Sequence, residues 1–226
     1  MFWGGLTGVL ILGLMAAVAL DSKRKNEYAD YYVHEKGEYG EDKIYDILER
    51  IDGYKAILPN CYIPKGNGET AEVDLILLHE SGIYVFESKN YSGWIFGSEN
   101  QKYWTQSFSD RREGTKKYKF YNPLWQNDTH IRALQGILQD ENVNIYSYIV
   151  FGNDCDLMDV QVSQSNYYIV QRRELLQSVL ENAEYYGKIL SNDEIDEIYR
   201  ILLPYAMTSP EEKEAHDRNV REKYKV

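Results

Sequence analysis

The sequence predicts an α/β protein, with a mixed central sheet flanked by helices and one transmembrane helix at the N-terminus. Residues 2–20 form an apolar run without a charged side chain. From about residue 56 onward, short segments rich in β-branched and aromatic residues are separated by glycine-containing turns, which is typical of strands. Segments with apolar residues at helical spacing precede, interrupt and follow these strands.

Composition limits the class of protein. The chain has 226 residues, of which 43% are hydrophobic, so it can bury the core of one domain with some additional elements. Its net charge of −11 argues against a protein that coats nucleic acid without specificity. Cys61 and Cys155 lie far apart and outside any CxxC motif, which predicts free thiols in a reducing compartment.

The N-terminal run predicts a single-pass membrane protein. Residues 2–20 approach the about 20 residues that a helix needs to cross a bilayer. Lys23, Arg24 and Lys25 follow directly, which predicts the N-terminus outside and the C-terminal domain in the cytoplasm. A cleaved signal peptide ending at residues 17–19 is the alternative. The absence of a basic segment before Phe2 favours a retained anchor.

The first predicted helix carries a carboxylate on its apolar face. Residues 37–51 place Ile44, Leu48 and further apolar side chains at helical spacing. Glu41 precedes Ile44 by three residues and Leu48 by seven, so it projects from the same face, and Glu38 lies one turn earlier. An acidic side chain that faces inward is unusual, and it marks Glu41 as a candidate site residue.

The remaining elements follow from periodicity and turn signals. Residues 79–82 predict a turn between two long strands, and Ser191 with Glu194 has the form of a helix capping box. The predicted strands are 56–63, 72–78, 83–89, 91–97, 102–108, 143–151 and 167–171; the predicted helices are 122–138, 172–190 and 192–203; residues 109–119 are predicted to be a polar, mostly basic loop.

The central predicted hairpin combines charge with burial. With residues 79–82 as the turn, Leu78 faces Ile83 and Asp74 faces Glu87; a slide of two residues places Asp74 opposite Lys89 instead. In either register Asp74, Glu87 and Lys89 share one face. That face is apolar near the turn and charged at its far end. The opposite face is apolar throughout, with Val73, Leu75, Leu77, Tyr84 and Phe86.

Two interpretations of this charged end remain. It could be a frayed hairpin end with an ordinary surface ion pair. The inward-facing Glu41 favours a site, because carboxylate oxygens hold Mg²⁺, which activates water and stabilises charge on a phosphoryl group. A lysine beside the metal can neutralise the negative charge of the transition state.

At this point the sequence resembles the nuclease-related domain (NERD) family of the PD-(D/E)XK nuclease superfamily. The resemblance extends over residues 36–150. It rests on Gly37-Glu38-Tyr39-Gly40-Glu41, on Glu72 to Leu77, on Gly82 to Asn90, on Gly93, Trp94 and Trp104, and on Asn122-Pro123-Leu124-Trp125-Gln126 with His130. It implies a restriction-endonuclease-like core. The P in the name of the motif stands for a proline directly before the aspartate, and in this sequence the residue before Asp74 is Val73.

The resemblance implies roles for individual residues. Asp74, Glu87 and Glu41 would hold Mg²⁺ or Mn²⁺, with Glu38 as the second choice for the ligand from the helix. Lys89 would be the catalytic lysine. Gln126 would support that lysine or contact the phosphate backbone.

The chain is accordingly divided into five parts. These are an anchor (1–21), a juxtamembrane linker (22–35), the nuclease-like core (36–150), a C-terminal strand and helices that complete the domain (151–205) and a charged helical tail (206–226).

A local basic segment is the candidate substrate contact. Lys102, Arg111, Arg112, Lys116 and Lys117 interrupt an otherwise acidic chain, with aromatic residues between them, and this pattern can follow a phosphate backbone and stack bases. A solvated loop that only connects two elements is an equal alternative. His130 is interpreted as a surface or supporting residue rather than a base.

These observations predict a membrane-anchored, divalent-metal-dependent nuclease (a hydrolase of phosphodiester bonds) that acts on DNA in preference to RNA. A catalytically silent binding or scaffold protein of the same fold is the alternative. The net charge favours that alternative, and the intact Asp74…Glu87-x-Lys89 pattern opposes it.

Overall fold

The computed structural model describes residues 39–110, 114–139 and 143–207. The predicted anchor and linker, Glu38, Arg111, Arg112 and all but the first residues of the predicted tail lie outside these ranges. Within the described ranges, no helix has both the length and the apolar character needed to cross a bilayer.

The described chain alternates strands and helices. A first helix includes residues 39–48 (α1). The other elements are β1 (Lys55–Pro64), β2 (Thr70–His79), β3 (Gly82–Lys89), β4 (Gly93–Ser98), β5 (Tyr103–Asp110), β6 (Gly114–Tyr121), α2 (Pro123–Leu138), β7 (Ile145–Phe151), β8 (Cys155–Gln161), β9 (Tyr167–Gln171), α3 (Leu175–Tyr186) and α4 (Asn192–Ala206).

The larger sheet is mixed, as predicted, with five strands in the order β1-β2-β3-β7-β9. The first three strands are antiparallel, and β7 and β9 run parallel to β3. Leu78 pairs with Ile83, which confirms the predicted hairpin register. All of β7 is buried, as expected for a strand covered on both faces.

Helices cover both faces of this sheet. Ile76, Leu78, Ile83 and Val85 pack on one face with side chains of α2 and α4, among them Leu134, Ile195 and Leu202. Leu75, Leu77, Tyr84 and Phe86 pack on the other face with side chains of α1 and α3, among them Ile44, Leu48, Leu175 and Val179. The alternation of strand residues therefore supplies two separate apolar layers.

The predicted face of Val73 is wrong, because the alternation of β2 shifts at Asp74. The pairing of β1 with β2 runs from Pro59–Leu75 to Cys61–Val73 and skips Asn60 and Asp74. Asn60 has a φ of 50°, an uncommon backbone conformation that interrupts a regular strand. Val73 consequently packs with Ile76 rather than with Leu75.

A second sheet, which the sequence did not predict, accompanies the mixed central sheet. It has four strands in the order β6-β5-β4-β8. The predicted loop 109–119 is wrong, since β5 continues to Asp110 and β6 starts at Gly114. The many lysines of β6 conceal its alternation, in which Tyr118 and Phe120 share one face. Strand β8 was missed because it is an edge strand with mostly exposed side chains.

Aromatic packing joins the two sheets. Trp104 of β5 is fully buried and stacks on Phe151 of β7, with ring centroids 6.3 Å apart. Ile95, Leu124 and Ile149 belong to the same buried cluster. The strand that carries the candidate site residues is thereby fixed relative to the second sheet.

Two predicted helices differ in their bounds. A 3-10 turn at Arg172–Glu174 precedes α3, and Gly187 ends that helix with a φ of 68°, so α3 is shorter than predicted. Helix α4 continues to Ala206. The capping box is confirmed, because Ser191 Oγ accepts a hydrogen bond from the Glu194 amide at 3.3 Å.

Packing around Trp104 predicts that Gly97→Ala is destabilising. A Cβ at residue 97 would clash with the indole ring of Trp104. Overpacking of a core typically costs about 1–3 kcal/mol, which we expect as a lower free energy of unfolding in urea titrations. Gly136→Ala is the matched control, because a Cβ there meets no described atom within 4 Å and the residue lies in α2. Equal stabilities of the two variants would contradict this account of the packing.

Candidate active site

The end of β3 brings two opposite charges under α2. Glu87 and Lys89 alternate with Ser88 and continue the side of the strand that carries Ile83 and Val85, which α2 covers. Glu87 pairs with Ile149 and Lys89 with Phe151 in the neighbouring strand β7. Both side chains therefore project from a strand held by pairing to its last residue.

Lys89 lies between a carboxylate and an amide. Its Nζ donates to Glu87 Oε1 at 2.5 Å and to Gln126 Oε1 at 3.2 Å. The exposed fraction of the side chain is 15% for Lys89 and 2% for Glu87. A charge this deeply buried needs a partner, and each residue of the pair supplies the other's.

The start of α2 positions Gln126. Asn122 caps the helix, with its Oδ1 accepting from the Leu124 amide at 2.9 Å. Its Nδ2 donates to the carbonyls of Ser98, Glu99 and Gln101, so the cap also ties the helix to the loop between β4 and β5. Gln126 lies one turn further on, directed at the end of β3.

The second oxygen of Glu87 lies close to His130. His130 Nδ1 is 3.5 Å from Glu87 Oε2, and both side chains are almost fully buried. Glu87 Oε2 accepts no hydrogen bond from the residues that the structure describes. A buried carboxylate oxygen of this kind is a suitable cation ligand, so the donor chemistry fits the predicted metal.

Asp74 lies where regular pairing between β2 and β3 has ended. The last pair is Leu75 with Phe86, and Asp74 Oδ2 instead accepts from the Ser88 amide at 2.7 Å. Burial raises the pKa of the Asp74 carboxyl well above its ordinary value, and the negative charges of Glu87 and Glu41 raise it further. The charge of Lys89 and the Ser88 amide act in the opposite direction.

Glu41 joins this group from α1. Its side chain is half-buried, and its charge acts on Asp74. In the described ranges, however, no group of three or more histidine, cysteine, aspartate or glutamate side chains is arranged to hold a metal ion. The ligand set Asp74, Glu87 and Glu41 stays a prediction.

Lys89 keeps its proton in this environment. Burial alone would lower the pKa of its amine. The charge of Glu87, followed by that of Asp74, and the hydrogen bond to Glu87 outweigh burial and raise that pKa above its ordinary value. The group is therefore a cation at neutral pH, suited to stabilising negative charge.

The predicted substrate lysines lie in or next to the second sheet. Lys116 and Lys117 belong to β6, and Lys102 precedes β5 with its Nζ 5.3 Å from the centre of the Tyr103 ring. Arg111 and Arg112 lie outside the described residues.

Two further polar residues of α2 lie near the site, and sequence reasoning missed one of them, Asn127. His130 is a neighbour of Glu87, which fits the predicted supporting residue and not the alternative of a surface residue. Asn127 is buried, and its Nδ2 donates to Val85 O at 3.0 Å and to Ser147 Oγ at 2.9 Å, which ties α2 to the sheet. The signal was the spacing of Gln126, Asn127 and His130, which places polar groups on one inward-facing stripe.

Comparison with known proteins gives one family and one curated relative. A sequence model described as the nuclease-related domain, NERD, matches residues 36–152. An uncharacterized protein of Bacillus anthracis is 30% identical over 190 residues, which cover 84% of this chain and 85% of that protein. No solved structure matches the chain.

The raised pKa predicts that Asp74→Asn stabilises the metal-free fold. Folding takes up a proton at Asp74 between the ordinary carboxyl pKa of about 4 and the raised folded value. The contribution of this group to stability is therefore complete at acidic pH and declines as pH rises through that window.

We expect the variant to unfold at higher urea than the parent at neutral pH in EDTA, and the difference to shrink towards pH 4. Asparagine keeps an oxygen for the Ser88 amide. Glu184→Gln, on an exposed position of α3, is the control and should show no such dependence. If the stability of the parent instead rises with pH relative to that of Asp74→Asn, the raised pKa of Asp74 is contradicted.

Proposed function

This chain belongs to the nuclease-related domain family, and on that premise we propose that it is a membrane-anchored, divalent-metal-dependent nuclease. It hydrolyses phosphodiester bonds, of DNA in preference to RNA. The observation that carries the proposal is the Lys89 ammonium group, held between Glu87 and Gln126 beside the carboxylate of Asp74.

Mg²⁺ or Mn²⁺ is the cofactor proposed for this site, with Asp74, Glu87 and Glu41 as its ligands. Two observations support the assignment: the buried Oε2 of Glu87 accepts no hydrogen bond from a described residue, and burial together with the neighbouring carboxylates raises the pKa of Asp74. A divalent cation, when bound, relieves carboxylate repulsion, lowers the pKa of water and neutralises phosphoryl charge.

The protein's own groups divide the remaining work. Lys89 Nζ holds its proton and donates a charge-assisted hydrogen bond to an oxygen of the phosphate as negative charge develops there. Gln126 Oε1 orients that ammonium group, and its amide nitrogen can donate to the substrate backbone. His130, beside Glu87 Oε2, limits the rotation of the carboxylate.

Basic residues of the segment 102–117 are the proposed contacts to the substrate backbone. They are Lys102, Arg111, Arg112, Lys116 and Lys117, of which Lys116 and Lys117 lie in β6 of the second sheet. Their positive charge contrasts with a net charge of −11 for the chain, so nucleic acid would approach from this side.

A catalytically silent binding or scaffold protein is the second candidate. The net charge of −11 favours it, because an acidic surface repels nucleic acid and suits protein partners. Metal binding and cleavage separate the two candidates.

Lys89→Ala is expected to abolish cleavage. The full-length protein in detergent is incubated with labelled single- and double-stranded DNA and RNA, with Mg²⁺, Mn²⁺ or EDTA. Loss of one preorganised donor to a developing anion typically costs about 10²–10³ in rate, and loss of a full positive charge costs at least as much.

Titration calorimetry supplies the second measurement. Asp74→Ala should lose binding of Mn²⁺, whereas Glu184→Gln should bind it as the parent does. Metal binding without cleavage of any substrate would favour the scaffold protein. Cleavage that persists in EDTA would contradict the metal requirement.

Residues 2–20 are proposed to hold the protein in the membrane, with the C-terminal domain in the cytoplasm. Deletion of these residues should move the protein from the carbonate-washed membrane fraction to the supernatant. A tag at the C-terminus of the parent should resist protease added outside intact cells. A parent found in the supernatant would overturn the anchor.

A further inference from the structure

The four-stranded sheet has one buried face and one face directed away from the core. Ile95 of β4 and Trp104 of β5 are fully buried against β7 and α2. Their sequence neighbours Trp94 and Tyr103 point the other way and are 40% and 49% exposed. Alternation along these strands therefore presents aromatic side chains to solvent.

Strand register arranges this outer face in rows. Trp94 of β4 lies opposite Ser107 of β5, which lies opposite Lys117 of β6. The next row has Phe96, Thr105 and Lys119, and the last pairs Tyr103 with Tyr121. Between the aromatic side chains of β4 and the lysines of β6, β5 contributes the small side chains of Ser107 and Thr105.

One edge of this face is basic and the opposite edge is acidic. Lys117 and Lys119 are exposed on β6 at one edge. Asp156 and Asp159 lie beside Trp94 and Phe96 on β8 at the other edge. An anion on this face is thus attracted to the β6 side and repelled from the β8 side, although the chain as a whole is acidic.

The spacing fits one nucleotide. Two strand spacings, about 10 Å, separate Trp94 from Lys117, and this is comparable to the reach from a stacked base to its own phosphate. A duplex keeps the faces of its bases covered, whereas a single strand offers bases and phosphates together.

We propose that the outer face of the second sheet, formed by Trp94, Tyr103, Lys117, Lys119 and Tyr121, binds single-stranded nucleic acid. Bases stack on Trp94 and the tyrosines, and phosphates lie over Lys117 and Lys119. This surface supplies the substrate class for the nuclease and in that respect rests on the proposed function. Binding itself is independent of cleavage.

Binding is measured by fluorescence anisotropy with the full-length protein in detergent and in EDTA. The probes are labelled oligothymidylate, oligouridylate and a duplex of the same length. Trp94→Ala should weaken single-strand binding by about 5- to 150-fold, the loss expected for one base stack, with the salt dependence unchanged. Trp94→Phe should retain most of the affinity.

The lysines have a different signature. The double variant Lys117→Gln with Lys119→Gln should lower the slope of log affinity against log salt by about 1.4, because each phosphate contact to a single strand contributes about 0.7. Tyr185→Ala and Lys188→Gln are the controls. They remove an 81% exposed tyrosine on α3 and an exposed lysine in the following loop, and both should bind as the parent does.

Three results would overturn the proposed binding surface: no binding of single strands, equal affinity for the duplex, or variants that bind as tightly as the parent. If the protein cleaves nucleic acid but these substitutions have no effect, the binding surface is disproved and the nuclease proposal stands. If the protein binds through Trp94 but does not cleave, the nuclease proposal is disproved and the binding surface stands. The thymidylate and uridylate probes separate DNA from RNA.

Discussion

The buried charge at the end of β3 is the constraint on which the site depends. Glu87 is almost inaccessible to water, so its charge must be compensated within the protein, and Lys89 provides this compensation. Gln126 of α2 accepts a hydrogen bond from the same Lys89 ammonium group, so the buried pair also links the helix to the sheet. Asn122 caps the helix, and Asn127 bonds to the backbone of β3, so the helix presents Gln126 to Lys89 and His130 to Glu87. The polar side of α2 is therefore as structural as its apolar side.

The interruption of strand pairing at Asp74 likewise affects both the fold and the candidate site. Pairing of β1 with β2 skips Asp74, and pairing of β2 with β3 ends at the neighbouring residue, Leu75. The aspartate is thus released from the regular ladder, although the Ser88 amide still anchors its carboxylate. Burial, followed by the negative charges of Glu87 and Glu41, raises the pKa of its carboxyl, so the charged form is disfavoured in the absence of a cation. Local instability of this kind is typical of sites that bind a charged ligand.

Predictions succeeded where a local pattern had a single structural solution. The turn at residues 79–82, the register of Leu78 with Ile83 and the capping box of α4 all depend on neighbouring residues, and the structure confirms them. They failed where a segment has no clear apolar alternation of its own or pairs with a distant strand. The lysine-rich β6 was predicted to be a loop, because its strand character is evident only beside β5 and the buried Trp104. The exposed β8 has the same dependence on β4.

The sequence by itself determined the family, the mixed sheet and the grouping of Glu87 and Lys89 on one face, because alternation along a strand and a short turn leave few alternatives. Only the tertiary structure decided that His130 approaches Glu87, that Asn60 and Asp74 interrupt the sheet, and that a second sheet carries Lys116 and Lys117. The approach of His130 to Glu87 and the pairing of β4 with β8 depend on contacts between segments far apart in the chain. Such contacts result from packing and from the cost of burying charge, neither of which a local pattern specifies.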